Sequence, residues 1–159
     1  MILTEGELRG FGEAVGGSVV PPVFLALRGE LGAGKSVFAR AVARGAGVEG
    51  TLPSPTFNLV FRYRGRGGVP VVHVDLYRLT APDQIWELGW EELAGGSGIV
   101  LVEWPERAEA FLPTDRWDVL LSPVVGDPAL RELALVRVGH PPHLGVDPPA
   151  GAATGAAGS

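Results

Sequence analysis

An α/β fold is predicted by three observations on this 159-residue chain: an apolar run at Val23 to Leu27, a glycine-rich loop after it, and helical apolar spacing from Val37 onward. Ile99 to Val102 is a second wholly apolar run, which marks another buried strand of a mostly parallel sheet. A chain of this size buries roughly 68 to 70% of its unfolded surface, enough for one core without disulfides or a structural metal.

Taken in order, Thr4 to Glu7 fit a capping box, and Leu8, Phe11 and Val15 follow at helical spacing, so a first helix is expected to end near Gly16 and Gly17. The strand at Val23 to Leu27, the loop at Gly29 to Ser36 and a helix carrying Val37, Phe38, Ala41 and Val42 come next, the helix stopping at Gly45 and Gly47. Leu59 to Tyr63 and Val69 to Val74, separated by Arg64 to Gly68, predict an antiparallel hairpin. Pro82 opens a helix carrying Ile85, Trp86, Leu88 and Leu93. After Ile99 to Val102, Val119 to Leu121 and Leu133 to Val138 predict a hairpin at a sheet edge, turning through Gly126-Asp127-Pro128. The expected architecture is a central mostly parallel sheet with antiparallel additions and helices on both faces. From His140 the composition turns to glycine, alanine and proline, which predicts a domain over 1–139 and a disordered tail over 140–159.

Cysteine is absent, which excludes thiolate zinc sites, iron–sulfur clusters, cysteine nucleophiles and a disulfide scaffold. No apolar run approaches the roughly 18 to 20 residues of a membrane span, and Glu5, Glu7 and Arg9 leave no signal-peptide pattern. A soluble cytoplasmic protein without membrane contact is expected. The net charge of −5 argues against charge-driven wrapping of free DNA. The 13 basic residues are all arginines except Lys35.

Gly29-Glu30-Leu31-Gly32-Ala33-Gly34-Lys35-Ser36 matches the phosphate-loop pattern GxxxxGK[ST], flanked by the required strand and helix, so the fold class narrows to a P-loop NTPase. Successive backbone N–H groups from Glu30 through Val37 can curl around phosphate oxygens at the positive end of the helix dipole. Lys35 is expected to reach the β and γ phosphates, and the Ser36 hydroxyl to ligate magnesium. Guanine-specific P-loop proteins usually need a lysine outside this loop, and Lys35 is the sole lysine, so ATP is favoured over GTP.

An acid near the metal commonly ends a neighbouring strand. Glu103 ends the cleaner apolar run and is the choice for the magnesium site, leaving Asp75 to orient or deprotonate the attacking water; the exchanged roles are the alternative. Ser54 to Phe57 occupies the place of a γ-phosphate sensor, though a plain turn has the same composition. His73 reads as a core histidine before a catalyst, and Trp104 as either a wall of the nucleotide pocket or a packing residue. Arg78 reads equally as a phosphate or partner contact and as an exposed ion pair.

The ordered set GELGAGKS, SPTF, HVDLYRL, WELGWEEL and IVLVEWPE, over about residues 5 to 113, resembles the TsaE (YjeE) family of bacterial ATPases. The resemblance implies a cytoplasmic ATPase needed for threonylcarbamoyladenosine modification of tRNA beside the anticodon, working with the transferase partners TsaD and TsaB and meeting tRNA through them. It implies that Lys35 is the phosphate-loop lysine, Ser36 and Glu103 hold magnesium, Asp75 is a functionally important aspartate, Thr56 senses phosphate and Trp104 is the tryptophan adjoining the metal-site glutamate; with the residue reading above, Lys35 and Asp75 are expected to be catalytic and Trp104 to border the nucleotide. Threonine is commoner in the family at the place of Ser36, and the family often has threonine where Leu8 stands here, so a base contact at that position is not carried over.

Slow hydrolysis is expected of the chain alone, because one lysine and one magnesium leave transition-state charge unneutralised and no arginine finger can be assigned. The rival readings are a small-molecule kinase, whose arginine-rich lid would have to come from Arg62, Arg64 and Arg66, and a noncatalytic nucleotide-dependent scaffold.

Overall fold

The computed structural model describes residues 1–50, 52, 59–81 and 83–146. Ser54 to Phe57, with Thr56, and Pro82 lie outside the described residues, as do 147–159. Seven strands, β1 (Ile2–Thr4), β2 (Val23–Arg28), β3 (Val60–Arg64), β4 (Pro70–Asp75), β5 (Ile99–Glu103), β6 (Arg116–Val124) and β7 (Asp127–Val138), form one sheet in the order β1-β7-β6-β2-β5-β4-β3. β6, β2, β5 and β4 run parallel in the centre, while β7, β1 and β3 pair antiparallel outside them.

Alternation along the central strands divides the core in two. Val23, Leu25 and Leu27 of β2, with Ile99 and Leu101 of β5, pack beneath α1 (Glu5–Ser18) and α2 (Lys35–Gly45). Phe24, Ala26, Val100 and Val102 face the other way, onto α3 (Gln84–Glu87) and α4 (Trp90–Ala94), where Trp90 meets Phe24 edge to face at 6.1 Å between centroids. Both faces are covered, which is why these strands read as unbroken apolar runs.

The capping box is present at α1: Glu7 N–H donates to Thr4 Oγ at 3.2 Å, and Thr4 N–H donates to Glu7 Oε1 at 3.1 Å. α1 crosses α2 through small residues, so closely that a Cβ on Gly16 would lie 2.0 Å from the Val42 carbonyl oxygen. The single helix expected from Pro82 is two short helices, because Gly89 takes φ +71° between them. Its apolar spacing still buries Ile85, Trp90 and Leu93.

The late hairpin corrects the sequence expectation. β6 is an inner strand, hydrogen-bonded to β2 from Leu25↔Trp117 to Arg28↔Leu120, and β7 is covered by the three-residue β1. β6 carries charged residues at this inner position because they are paired: Arg116 Nε donates to Asp118 Oδ1 at 2.9 Å, and Asp118 Oδ2 lies 3.3 Å from Arg28 Nε. The boundary expected at 140 also shifts, since 140–146 pack on the domain. Leu144 is buried, and Trp117 Nε1 donates to the Pro142 carbonyl at 2.9 Å. One leucine and carbonyls that accept indole and guanidinium hydrogens anchor a segment whose composition alone is too poor in apolar surface.

Candidate functional site

Among the described residues only Lys35, His73 and Glu103 are polar and buried, and all three meet at the C-terminal ends of β4 and β5. Glu103 ends β5 and pairs in register with Asp75, the last residue of β4, so their Cα atoms sit about 4.8 Å apart. Leu27 of β2 flanks Glu103 on the other side, and the glycine-rich loop leaves from Arg28 directly above. Such a crevice outside the carboxyl ends of parallel strands is where α/β sheets take ligands.

Gly34 precedes α2 at φ +104°, a conformation open to glycine and costly for other residues, and it turns the chain so that the first N–H groups of α2 face this crevice. Ser36, in the first turn, donates its hydroxyl to Glu103 Oε1 at 2.9 Å, with Oε2 at 3.1 Å. Lys35 Nζ donates to the Gly29 carbonyl and lies 3.5 Å from the centroid of the Trp104 ring. Burial holds the lysine below its ordinary pKa, against the opposing pull of Glu103, Glu106 and Asp75. Asp75 Oδ1 accepts the Tyr77 N–H at 3.0 Å. Burial pushes the Asp75 carboxyl above its ordinary value, the Tyr77 N–H opposes this, and the neighbouring Glu103 adds to it.

Trp104 is the one non-glycine residue of positive φ among the described residues, at +58°. A left-handed turn costs such a residue about 1–2 kcal/mol. Here it swings the indole out of the strand line, over Lys35 and within 4.9 Å of the Tyr77 ring.

These groups border a cavity of about 310 Å³. Leu31, Gly32, Gly34 and Val37 of the expected phosphate cradle line it, together with Lys35, Ser36, Asp75, Glu103 and Trp104. Glu30 and Ala33 do not; they face each other across the loop, where Ala33 N–H donates to the Glu30 carbonyl at 3.1 Å. Thr56 lies outside the described residues. Arg78 is exposed and borders a different hollow with Thr80 and Gln84.

The family model for the threonylcarbamoyl adenosine biosynthesis protein TsaE matches residues 2–126. The chain belongs to the TsaE family. It is 36% identical over 120 residues to the tRNA threonylcarbamoyladenosine biosynthesis protein TsaE of Bacillus subtilis, covering 76% of this chain and 73% of that one. The corresponding protein of Rickettsia bellii is 37% identical over 120 residues, covering 75% and 82%. The crystal structure of Bacillus subtilis YdiB superposes with a TM-score of 0.70 at 29% identity, over 87% of this chain and 84% of that one. The α/β, P-loop NTPase fold class expected from the sequence is the fold found.

In this TsaE-family chain the far wall of the cavity comes from segments that carry no motif. Glu5 and Leu8 of α1 contribute to it, as do Pro128, Ala129 and Arg131 at the start of β7. Leu8 presents only carbon there. Tyr77, which partners both Asp75 and Trp104, was legible in part: it follows the acid by two residues, the spacing of an Asx turn. Arg28 was missed altogether. Its guanidinium makes a two-pronged bond to Glu109 at 2.9 and 3.0 Å, tying the entry of the loop to the segment after Trp104, and only long-range folding brings those residues together.

Proposed function

We propose that this TsaE-family chain binds ATP with magnesium in the cavity beneath the loop, hydrolyses it slowly by itself, and serves the threonylcarbamoyladenosine modification of tRNA in the cytoplasm together with TsaD and TsaB. One observation carries the reading. Lys35, the Ser36 hydroxyl and two carboxylates on adjacent strand ends converge on a single cavity at the N-terminus of a helix. The names of its relatives place them in tRNA threonylcarbamoyladenosine biosynthesis, which supports the same role here.

The donors fit magnesium, a hard cation that takes few protein oxygens alongside phosphate oxygens. Ser36 Oγ and Glu103 would hold it, Glu103 by accepting hydrogens from Ser36 and from coordinated water. Magnesium, when bound, neutralises charge that develops on the β and γ phosphate oxygens. Lys35 leaves the Gly29 carbonyl for those phosphates, and Trp104 and Tyr77 shield the site from bulk water. Asp75 takes the proton of the attacking water, its raised pKa making it a stronger base than an ordinary aspartate. Slow turnover follows from the cations at hand. The other cation bordering the cavity, Arg131, already donates to the carbonyls of Pro128 and Leu130. A partner that supplies positive charge would accelerate the step.

The test is single-turnover phosphate release with and without TsaD and TsaB, joined to multiple-turnover tRNA threonylcarbamoylation with this chain added or withheld. Faster release in the complex and dependence of modification on the chain are expected. Modification that proceeds equally without it, or ADP formation only when a metabolite acceptor is supplied, would defeat the reading. Within it, Lys35→Ala is expected to weaken magnesium-ATP binding about 10- to 100-fold, the value of a charge-assisted hydrogen bond. Calorimetric titration measures this, and an unchanged affinity would remove the lysine from phosphate recognition. Glu103→Ala is expected to raise the magnesium concentration needed for half-maximal ATP binding about tenfold or more. Overlaid magnesium titrations would take Glu103 out of the metal site.

A further inference from the structure

His73 stands in the run Val71-Val72-His73-Val74, on a central strand, and is 3% exposed. An imidazole in that setting is costly unless its polar atoms are matched. Its match is specific: His73 Nε2 lies 2.6 Å from Glu103 Oε2, and since a carboxylate only accepts, Nε2 is the donor. The parallel register of β4 and β5 sets this pair. His73 lies opposite Leu101, so Glu103 is its diagonal neighbour on the same face of the sheet. On the other side Phe61, its cross-strand partner on β3, stands 6.5 Å away between ring centroids and confines the ring.

His73 does not border the cavity, whereas Glu103 does. Whatever it contributes to the site therefore passes through that carboxylate. Ser36 Oγ reaches both carboxylate oxygens, at 2.9 and 3.1 Å, and so does not by itself fix which of them faces the ligand. The histidine does: it engages Oε2 from behind. We infer that His73 is a positioning residue, which clamps the Glu103 carboxylate so that Oε1 is presented to Ser36 and to a divalent cation beside it. This rests on the reading of Glu103 as the acid of a magnesium site. A glutamate left with one hydroxyl partner in a buried crevice would be free to rotate about its side-chain bonds, and the cation would lose a preorganised acceptor.

The experiment is calorimetric titration of ATP into the whole chain across a magnesium series and in excess chelator, for wild type, His73→Leu and His73→Gln. Leucine fills the space without a donor; glutamine keeps an N–H at similar reach. His73→Leu is expected to raise the half-saturating magnesium concentration about tenfold or more, with metal-free ATP affinity unchanged, and His73→Gln to restore most of the loss. A His73→Leu titration that overlays wild type would overturn the inference. So would a His73→Gln curve shifted as far as that of His73→Leu, since the ring and not its donor would then matter. Wild-type ATP binding that ignores magnesium altogether would instead sink the underlying reading of Glu103, and the inference with it. If His73→Leu does not fold, NMR on wild type and Glu103→Gln decides: the His73 Nε2 proton is expected far downfield and to move upfield in the variant, and an unmoved signal overturns the clamp.

Discussion

Asp75→Asn is expected to lower ATP turnover about 10²- to 10⁴-fold, the range for loss of a general base, while ATP affinity stays within a few-fold of wild type. Asparagine keeps a side-chain oxygen to accept the Tyr77 N–H, so the turn after β4 survives and the lost function is that of a base. Single-turnover phosphate release measures the effect; hydrolysis at the wild-type rate would exclude Asp75 from the chemical step. A pH signature accompanies it. Burial raises the folded-state pKa above that of an ordinary aspartate, and the base acts only when ionised. Wild-type turnover should therefore rise with pH through that raised pKa, above the ordinary aspartate range, and Asp75→Asn should lose this limb. Stability moves oppositely. A carboxyl whose pKa is raised by folding binds its proton more tightly in the native state, so its contribution is present below the unfolded pKa and is lost as pH climbs through the folded one.

The second large effect is on folding. Gly16→Val is expected to destabilise the domain by about 3 kcal/mol or more, as overpacking does where neither side can yield. At the crossing of α1 and α2 a Cβ on Gly16 would sit 2.0 Å from the Val42 carbonyl oxygen, one on Gly45 1.9 Å from the Glu13 carbonyl oxygen, and one on Gly12 2.7 Å from the Ala41 Cβ. The obstacles at Gly16 and Gly45 are backbone atoms, which cannot turn aside as a side chain can. The melting temperature should fall about 6–12 °C for a domain of this length. A melting temperature within a degree of wild type would mean that the helices can separate at no cost. Because α2 begins with Lys35 and Ser36, any such separation would also be felt in the phosphate loop.

Much of the site was readable because its parts are local. The loop from Gly29 to Ser36 needs only a strand before it and a helix after it, and both announce themselves by apolar spacing. Asp75 and Glu103 stood out because each interrupts an apolar run at its end, where a buried strand emerges. His73 is the buried core histidine its strand suggested, but nothing within that strand names its partner, which is 30 positions away. Gly16 gave the helix an apparent end, while its purpose is the approach of a second helix.

By itself the chain's order of residues determined a glycine-rich turn between a buried strand and a helix, two acids at strand ends and the family to which these motifs belong. Tertiary structure alone decided that β6 lies beside β2, that Asp75 and Glu103 share a register, that the start of β7 walls the cavity, and that an imidazole backs the glutamate. The physical reason is range. Periodicity, caps and turns are written in bonds between near neighbours, whereas the pairing of parallel strands is chosen by burying both faces of a sheet at once, and no single segment records that choice.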